Sequence, residues 1–259
     1  MPDCLDVLAR DAKETVAKGY YQVPTQRVTA SVSLRKMIIR SRQNAVITEV
    51  KAASPSRGSI KTGFDPAEVA RAMENGGATG ISVLTEPKHF NGSLSYLAKV
   101  RETVKLPILM KDIIINPIQL EVASRIGANV ILLIEALFER QYYECSLDNM
   151  IKQAHARNLE VLLESHSEDE FQHAMETDAD LIGINNRDLR TLKVDLQITE
   201  NILKKHESKG KVVVSESGVM SPKDLLFLRG CGAQAFLIGS AVMMANNIEE
   251  KVKEFVTAH

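Results

Sequence analysis

Cysteine is scarce in this chain of 259 residues, and the three present, Cys4, Cys145 and Cys231, are odd in number and far apart. They form neither a disulfide framework nor a zinc pattern, and they suit a reducing cytoplasm. Net charge is also lacking: 32 Lys and Arg stand against 33 Asp and Glu, a formal charge of −1. The signs are interspersed without a long block of either, which removes the electrostatic footprint of a nucleic-acid partner. The N-terminal run MPDCLDVLARDAKETVAKGY has a charge every few residues and no continuous apolar stretch, so neither a signal peptide nor a membrane anchor is expected. Linkers rich in Pro, Gly or Ser are missing, and no Gly-x-Gly-x-x-Gly follows the first apolar run, which argues against a dinucleotide fold. The six histidines show no metal spacing. Glu164 and His166, two apart, are better read as structural than as a ligand pair, and no metal is expected.

What the chain does have is a rhythm. Near-continuous runs of Val, Ile and Leu recur at Ala45–Lys51, Gly80–Glu86, Pro107–Asp112, Asn129–Glu135, Glu160–Ser165, Leu181–Arg187, Lys211–Ser217 and Ala235–Ser240. Such runs are what parallel strands buried on both faces require, and each gap is long enough for a crossover helix. Asp65-Pro66, Asn116-Pro117 and Ser221-Pro222 each offer a helix cap followed by proline at the first helical position. Gly76-Gly77, Gly127 and Gly232 mark helix ends just before the next strand. Eight units in a chain near the ~250 residues usual for the fold predict an α/β protein of the (β/α)₈ TIM-barrel class. A chain of this length buries roughly three quarters of its unfolded surface and needs no staples. Residues 45–259 are assigned to the barrel. Residues 1–44 read as an N-terminal helical extension packed on the barrel mouth: a helix near Leu5–Lys18, a turn at Pro24, and a second helical stretch near Val32–Arg42.

In such a barrel the chemistry sits at the C-terminal strand ends. Those ends carry Glu49, Lys51 and Ser54, then Lys111-Asp112, Glu164, Asn185 with Arg187, Glu216-Ser217-Gly218, and Gly239-Ser240. One such residue alone is ordinarily solvated or ion-paired. Six strand ends converging with both signs of charge in one mouth are costly to desolvate unless they bind something. Glu49 and Lys51, two apart, point to the same side of their strand. Lys111 and Glu164, on strands two apart round the barrel, are a candidate general acid and base. Burial in an apolar mouth tends to lower a lysine pKa, and a neighbouring carboxylate opposes this. The Ser-Gly and Gly-Ser turns after the last two strands let backbone N–H groups approach an anion, so a phosphorylated small molecule is the expected partner.

The run Glu49-Val50-Lys51-Ala52-Ala53-Ser54-Pro55-Ser56 resembles the signature of the indole-3-glycerol phosphate synthase family, and later segments resemble it in order: Leu84-Thr85-Glu86, Phe90–Ser93, Pro107–Asp112, Gly183–Leu189, Glu216-Ser217-Gly218 and Ala235–Ser240. The resemblance implies a cofactor-free closure of the pyrrole ring in tryptophan biosynthesis, with loss of carbon dioxide and water. It implies Lys111 as the acid that protonates the substrate carbonyl and Glu164 as its partner in dehydration. Lys51 would attract the anthranilate carboxylate, with Glu49 and Asn185 orienting the lysines and substrate hydroxyls. Ser54, Ser217, Gly218, Gly239 and Ser240 would hold the phosphate, and Arg187 would brace the mouth. Aromatic residues make up only 5% of the chain, so Phe90, Leu133, Leu189 and Leu237 are the candidates for the hydrophobic wall. The chain departs from the family pattern at Ile113, where phenylalanine is usual.

Two rival readings remain: another phosphate-binding barrel such as phosphoribosylanthranilate isomerase, and a catalytically silent binding barrel. The Glu-x-Lys-x-x-Ser-Pro-Ser run and the N-terminal extension oppose the first, and the complete set of ionisable strand ends opposes the second. A monomer or weak homo-oligomer, with no nucleic-acid or membrane partner, completes the expectation.

Overall fold

The computed structural model describes residues 3–22, 32–54 and 58–259. The expected turn at Pro24, and Pro55, Ser56 and Arg57 after the first strand, lie outside the described residues. The chain begins with α1 (Cys4–Ala17) and α2 (Leu34–Arg40), enters β1 (Ala45–Val50) and makes a small antiparallel hairpin of β2 (Ala53–Ser54) and β3 (Gly58–Ser59). There follow α3 (Pro66–Asn75), β4 (Gly80–Leu84), α4 (Leu94–Thr103), β5 (Ile108–Lys111), α5 (Pro117–Arg125) and β6 (Val130–Ile134). Then come α6 (Glu135–Glu139), α7 (Leu147–His155), β7 (Glu160–Ser165), α8 (Glu168–Glu176), β8 (Leu181–Asn185) and α9 (Gln197–Lys205). The chain closes with β9 (Val212–Glu216), α10 (Pro222–Gly230), β10 (Ala235–Ile238), α11 (Ser240–Met243) and α12 (Ile248–Val256).

Eight strands, β1 and β4 through β10, pair in parallel and close into a (β/α)₈ barrel, with β1 hydrogen-bonded to both β4 and β10. All eight anticipated strands form, most of them shorter at their C-terminal ends. Pairing stops there because the side chains turn inward on their own loops: Glu86 accepts the N–H groups of Lys88, His89 and Phe90, and Asn185 that of Arg187. The gap after β6 holds two helices where one was expected, as does the segment after β10. The three proline-led helices are capped as anticipated: Asp65, Asn116 and Ser221 accept from the first turns of α3, α5 and α10. At the end of α3 the left-handed residue is Gly77, at φ +90°. Gly76 is right-handed; a Cβ there would stand 2.7 Å from the Glu249 carbonyl and the Val252 side chain of α12.

Strand alternation sorts the core into two layers. Val46, Ile81, Val83, Ile108, Met110, Ile131, Leu133, Val161, Leu163, Ile182, Val213 and Phe236 face the surrounding helices. Ile47, Leu109, Val130, Leu132, Ile134, Leu162, Leu181, Val212, Val214 and Leu237 fill the barrel interior. The period of two fixes which residue at each strand end points inward.

The N-terminal helices belong to the interior layer but to opposite ends of the barrel. Helix α1 opens with a capping box between Asp3 and Asp6 and lays Leu5, Leu8, Ala9 and Ala12 over the mouth. Each leucine so buried contributes about 1.5–3 kcal/mol. Arg140 holds Asp3 and Asp6, each at 2.8 Å, and His89 holds Asp11 at 2.6 Å. Helix α2 instead closes the other end: Glu160, the first residue of β7, accepts the N–H groups of Leu34 and Arg35. The part of the extension that covers the mouth is therefore α1. Among the described residues no helix is long and apolar enough to cross a membrane.

Candidate active site

Counting inward positions along each strand leads to one place. Glu49 follows Ile47 on β1; Lys111 follows Leu109 on β5; Glu164 follows Leu162 on β7; Asn185 and Glu216 end β8 and β9; Gly239 follows Leu237. All line a cavity of about 280 Å³ at the C-terminal face, roofed by Cys4, Leu5 and Leu8 of α1. The strand interiors beneath it are apolar, and at the mouth the inward positions of β1, β5, β7 and β9 carry the ionisable Glu49, Lys111, Glu164 and Glu216.

Lys111 stands at the centre. Its Nζ donates to Glu164 Oε2 at 3.1 Å and to Glu216 Oε2 at 2.8 Å. Burial alone would lower its pKa, but Glu216, Glu164 and Glu49 outweigh it and hold the amine protonated well above the ordinary lysine value. Burial likewise opposes ionisation of Glu164, yet Lys111, His166 and Asn185 keep it a carboxylate below the ordinary range. Glu216 goes the other way. Burial and the adjacent Glu164 charge push it up in spite of Lys111, and its Oε1 has no hydrogen-bond partner among the described residues. Two carboxylates sharing one ammonium divide their proton unequally. Across the cavity Lys51 Nζ lies 2.6 Å from Glu49 Oε1, the same-side pair expected from their spacing.

Glycine makes this crowding possible. A Cβ on Gly239 would lie 2.5 Å from Glu49 Oε1 and 2.8 Å from Lys51 Nζ, and one on Gly183 would collide with Glu216. After β9 the chain turns through two left-handed residues, Ser217 at φ +64° and Gly218 at φ +91°. For serine that conformation costs on the order of 1–3 kcal/mol and is found where surrounding structure fixes it; Asn186 does so, donating to the Glu216 and Ser217 carbonyls. Ser217, Gly218, Gly239 and Ser240 thus meet at one edge of the cavity, and Ser54 reaches it from the β1 side. Arg187 lines the rim, its guanidinium donating to the Leu192 carbonyl at 2.8 Å.

On the apolar side, Phe90, Leu189 and Leu237 line the cavity as expected, and Ile113 joins them. Leu133 does not. It faces the outer helices, while its neighbours Leu132 and Ile134 form the wall; on a strand an error of one residue exchanges the two faces. Sequence reasoning named Glu216 among the strand ends but gave it no role, although Val212 and Val214, four and two positions before it, already mark the inward face. Asp112 is the other strand-end residue left without a role. Fully buried, it accepts from Tyr21 and Thr85 and so ties the chain after α1 to the residue next to Lys111. Among the described residues no group of three or more His, Cys, Asp or Glu could hold a metal ion, and the cysteines are free thiols.

A closed parallel barrel with its ionisable residues gathered at the C-terminal face defines the class: (β/α)₈ barrels whose site lies at the strand ends. Solved structures agree on the fold. The chain superposes on thiamine phosphate pyrophosphorylase from Pyrococcus furiosus with a TM-score of 0.61 at 17% identity, covering 86% of this chain and 96% of that one. It superposes on N-acetylmannosamine-6-phosphate 2-epimerase from Clostridium perfringens with a TM-score of 0.59 at 15% identity, covering 83% and 92%. Sequence relationships are more specific. Residues 5–255 match the family indole-3-glycerol phosphate synthase. The chain is 45% identical to the indole-3-glycerol phosphate synthase of Methanocaldococcus jannaschii over 86% of its length and 82% of that protein. With the enzyme of the same name from Mycolicibacterium vanbaalenii it shares 41% identity over 98% and 90%. The chain belongs to the indole-3-glycerol phosphate synthase family.

Proposed function

We propose that this chain is a carboxy-lyase of tryptophan biosynthesis that converts 1-(2-carboxyphenylamino)-1-deoxyribulose 5-phosphate to indole-3-glycerol phosphate. The observation that carries the reading is the Lys111 ammonium, held at 3.1 and 2.8 Å between Glu164 and Glu216 under an apolar roof. Ring closure turns a substrate carbonyl oxygen into an alkoxide, which is more basic than any amine. A lysine kept protonated by its neighbours donates a hydrogen bond to that oxygen and gives up the proton as the charge develops. Loss of carbon dioxide restores the aromatic ring and supplies its own driving force. For the dehydration the Lys51 ammonium would protonate the departing hydroxyl, and Glu164, held as a carboxylate, would take the proton that the new ring gives up, so that one water leaves. The Lys51 ammonium would receive the anthranilate carboxylate in exchange for part of its contact with Glu49. Ser54, Ser217, Gly218, Gly239 and Ser240 would take the phosphate, with Asn185 and Arg187 holding hydroxyls and rim.

Family membership supports this reading over another phosphate-binding barrel, and the assembled charges support it over a silent one. The free thiols are in keeping with a cytoplasmic enzyme. The test is conversion of the carboxyphenylamino-deoxyribulose phosphate, followed by indole fluorescence in buffer with excess EDTA. The chain contains no tryptophan, so the product signal stands clear of the protein. Rapid product formation is expected. Substrate binding without product would support the silent barrel, and no binding would point to another phosphate-handling barrel.

A further inference from the structure

One buried ionisable group next to the site is not used by the proposed mechanism. His166 lies in the turn between β7 and α8, with 8% of its side chain exposed, and does not line the cavity. Its Nε2 stands 3.1 Å from Glu164 Oε1, the oxygen that Lys111 leaves unoccupied, and its Nδ1 stands 3.4 Å from Glu170 Oε2. Both contacts join the ring to a carboxylate through side-chain hydrogen bonding and charge. Glu170 is itself fixed, accepting the His166 backbone N–H at 2.7 Å. The imidazole is thus clamped between two carboxylates on the side of Glu164 away from the cavity.

The two glutamates that share Lys111 are placed nearly alike, each inward at a strand end and each with one oxygen on the same ammonium. They differ in what stands behind them. Glu164 has His166; Glu216 has an unpartnered oxygen and the missing side chain of Gly183. We propose that His166, as an imidazolium, is a positioning residue that holds Glu164 ionised and so directs the proton shared by the two carboxylates onto Glu216. The inference rests on the role proposed above for Glu164. The ionisable groups facing this cluster are Lys111 from β5, Glu216 from β9, Glu170 from α8, Tyr143 from the segment between α6 and α7, Glu135 from α6 beside Glu170 and, through Lys111, Glu49 from β1; Asn185 from β8 adds an amide. Burial would lower the His166 pKa, but Glu164 and Glu170 outweigh it and raise it to about 9, so the ring is charged at neutral pH. Without it, Lys111 would be the one cation serving both carboxylates, and only the Asn185 amide would favour Glu164 as the base.

The test compares pH profiles of kcat/KM for the wild-type enzyme and His166→Gln, which removes the charge and keeps a polar side chain. Loss of an adjacent opposite charge raises a carboxyl by about 1–3 pH units, so the acidic limb is expected to move to higher pH by at least one unit. A role confined to packing would lower activity evenly across the profile and leave the limb in place; that result overturns the proposal. Nitrogen-15 spectra of the histidine rings in the wild-type enzyme give a second readout that needs no turnover. One ring is expected to remain doubly protonated through pH 8, assigned by its loss in His166→Gln or, should that variant not fold, by its change in Glu170→Gln. A neutral His166 at pH 7 would also overturn the proposal. If the wild-type enzyme does not convert the substrate, the proposed function fails. If it does and the limb is unmoved, only the role of His166 fails.

Discussion

Replacing Glu216 by glutamine should make the protein more stable, and by an amount that depends on pH. Only one oxygen of Glu216 is partnered, by Lys111 at 2.8 Å, and burial together with Glu164 pushes its carboxyl up to about 7 despite that ammonium. The folded state therefore binds this proton more tightly than the unfolded chain, where the ordinary value is 4.5. Stability from this group is intact below about 4.5, declines as pH rises, and levels off above about 7. At about 1.4 kcal/mol per pH unit the decline amounts to ~3 kcal/mol, a ceiling because Glu164 and Glu216 titrate as a pair. Glutamine keeps an acceptor for Lys111 and never ionises. Urea unfolding followed by circular dichroism should give equal stabilities for wild type and Glu216→Gln near pH 4.5. By pH 8 the variant should lead by up to ~3 kcal/mol, each kcal/mol being worth about 2–4 °C in a chain of this size. Curves that run parallel from pH 4.5 to 8, or a variant less stable at pH 8, would refute the account of how the two carboxylates share Lys111.

Three further outcomes can be checked against the same site. Lys111→Ala should lower turnover by about 10²–10⁴-fold while the phosphate-bearing product still binds in a calorimetric titration; turnover within a few-fold of wild type would remove Lys111 as the acid. Glu164→Gln should slow the dehydration, so that rapid-quench samples contain a ring-closed, decarboxylated intermediate, and an unchanged rate would take Glu164 out of the mechanism. Gly239→Ala places a methyl 2.5 Å from Glu49 Oε1 and 2.8 Å from Lys51 Nζ. Displacing that pair should cost roughly 10²-fold in kcat/KM with little change in the urea midpoint, whereas unchanged kinetics would mean that the pair has room to move.

The eight strands, the proline-led helix starts and the barrel class were legible in the sequence because they follow from local rules. Apolar runs of strand length, caps and glycine stops are read within about ten residues of where they act. The same alternation makes Glu49 and Lys51 neighbours without reference to the rest of the chain. Where the reading depended on phase, it failed by one residue: Leu133 was taken for the wall that Leu132 and Ile134 form, because a run apolar on both faces carries no mark of which face is inside. What only the tertiary structure decided are relations between strands distant in sequence. Closure of the barrel brings Lys111 onto both Glu164 and Glu216, residues 53 and 105 positions further along the chain. It sets α1 over the mouth and α2 at the opposite end. The sequence names the ionisable residues, but their charges depend on distances of about 3 Å in a buried site, and only the closed barrel sets those distances.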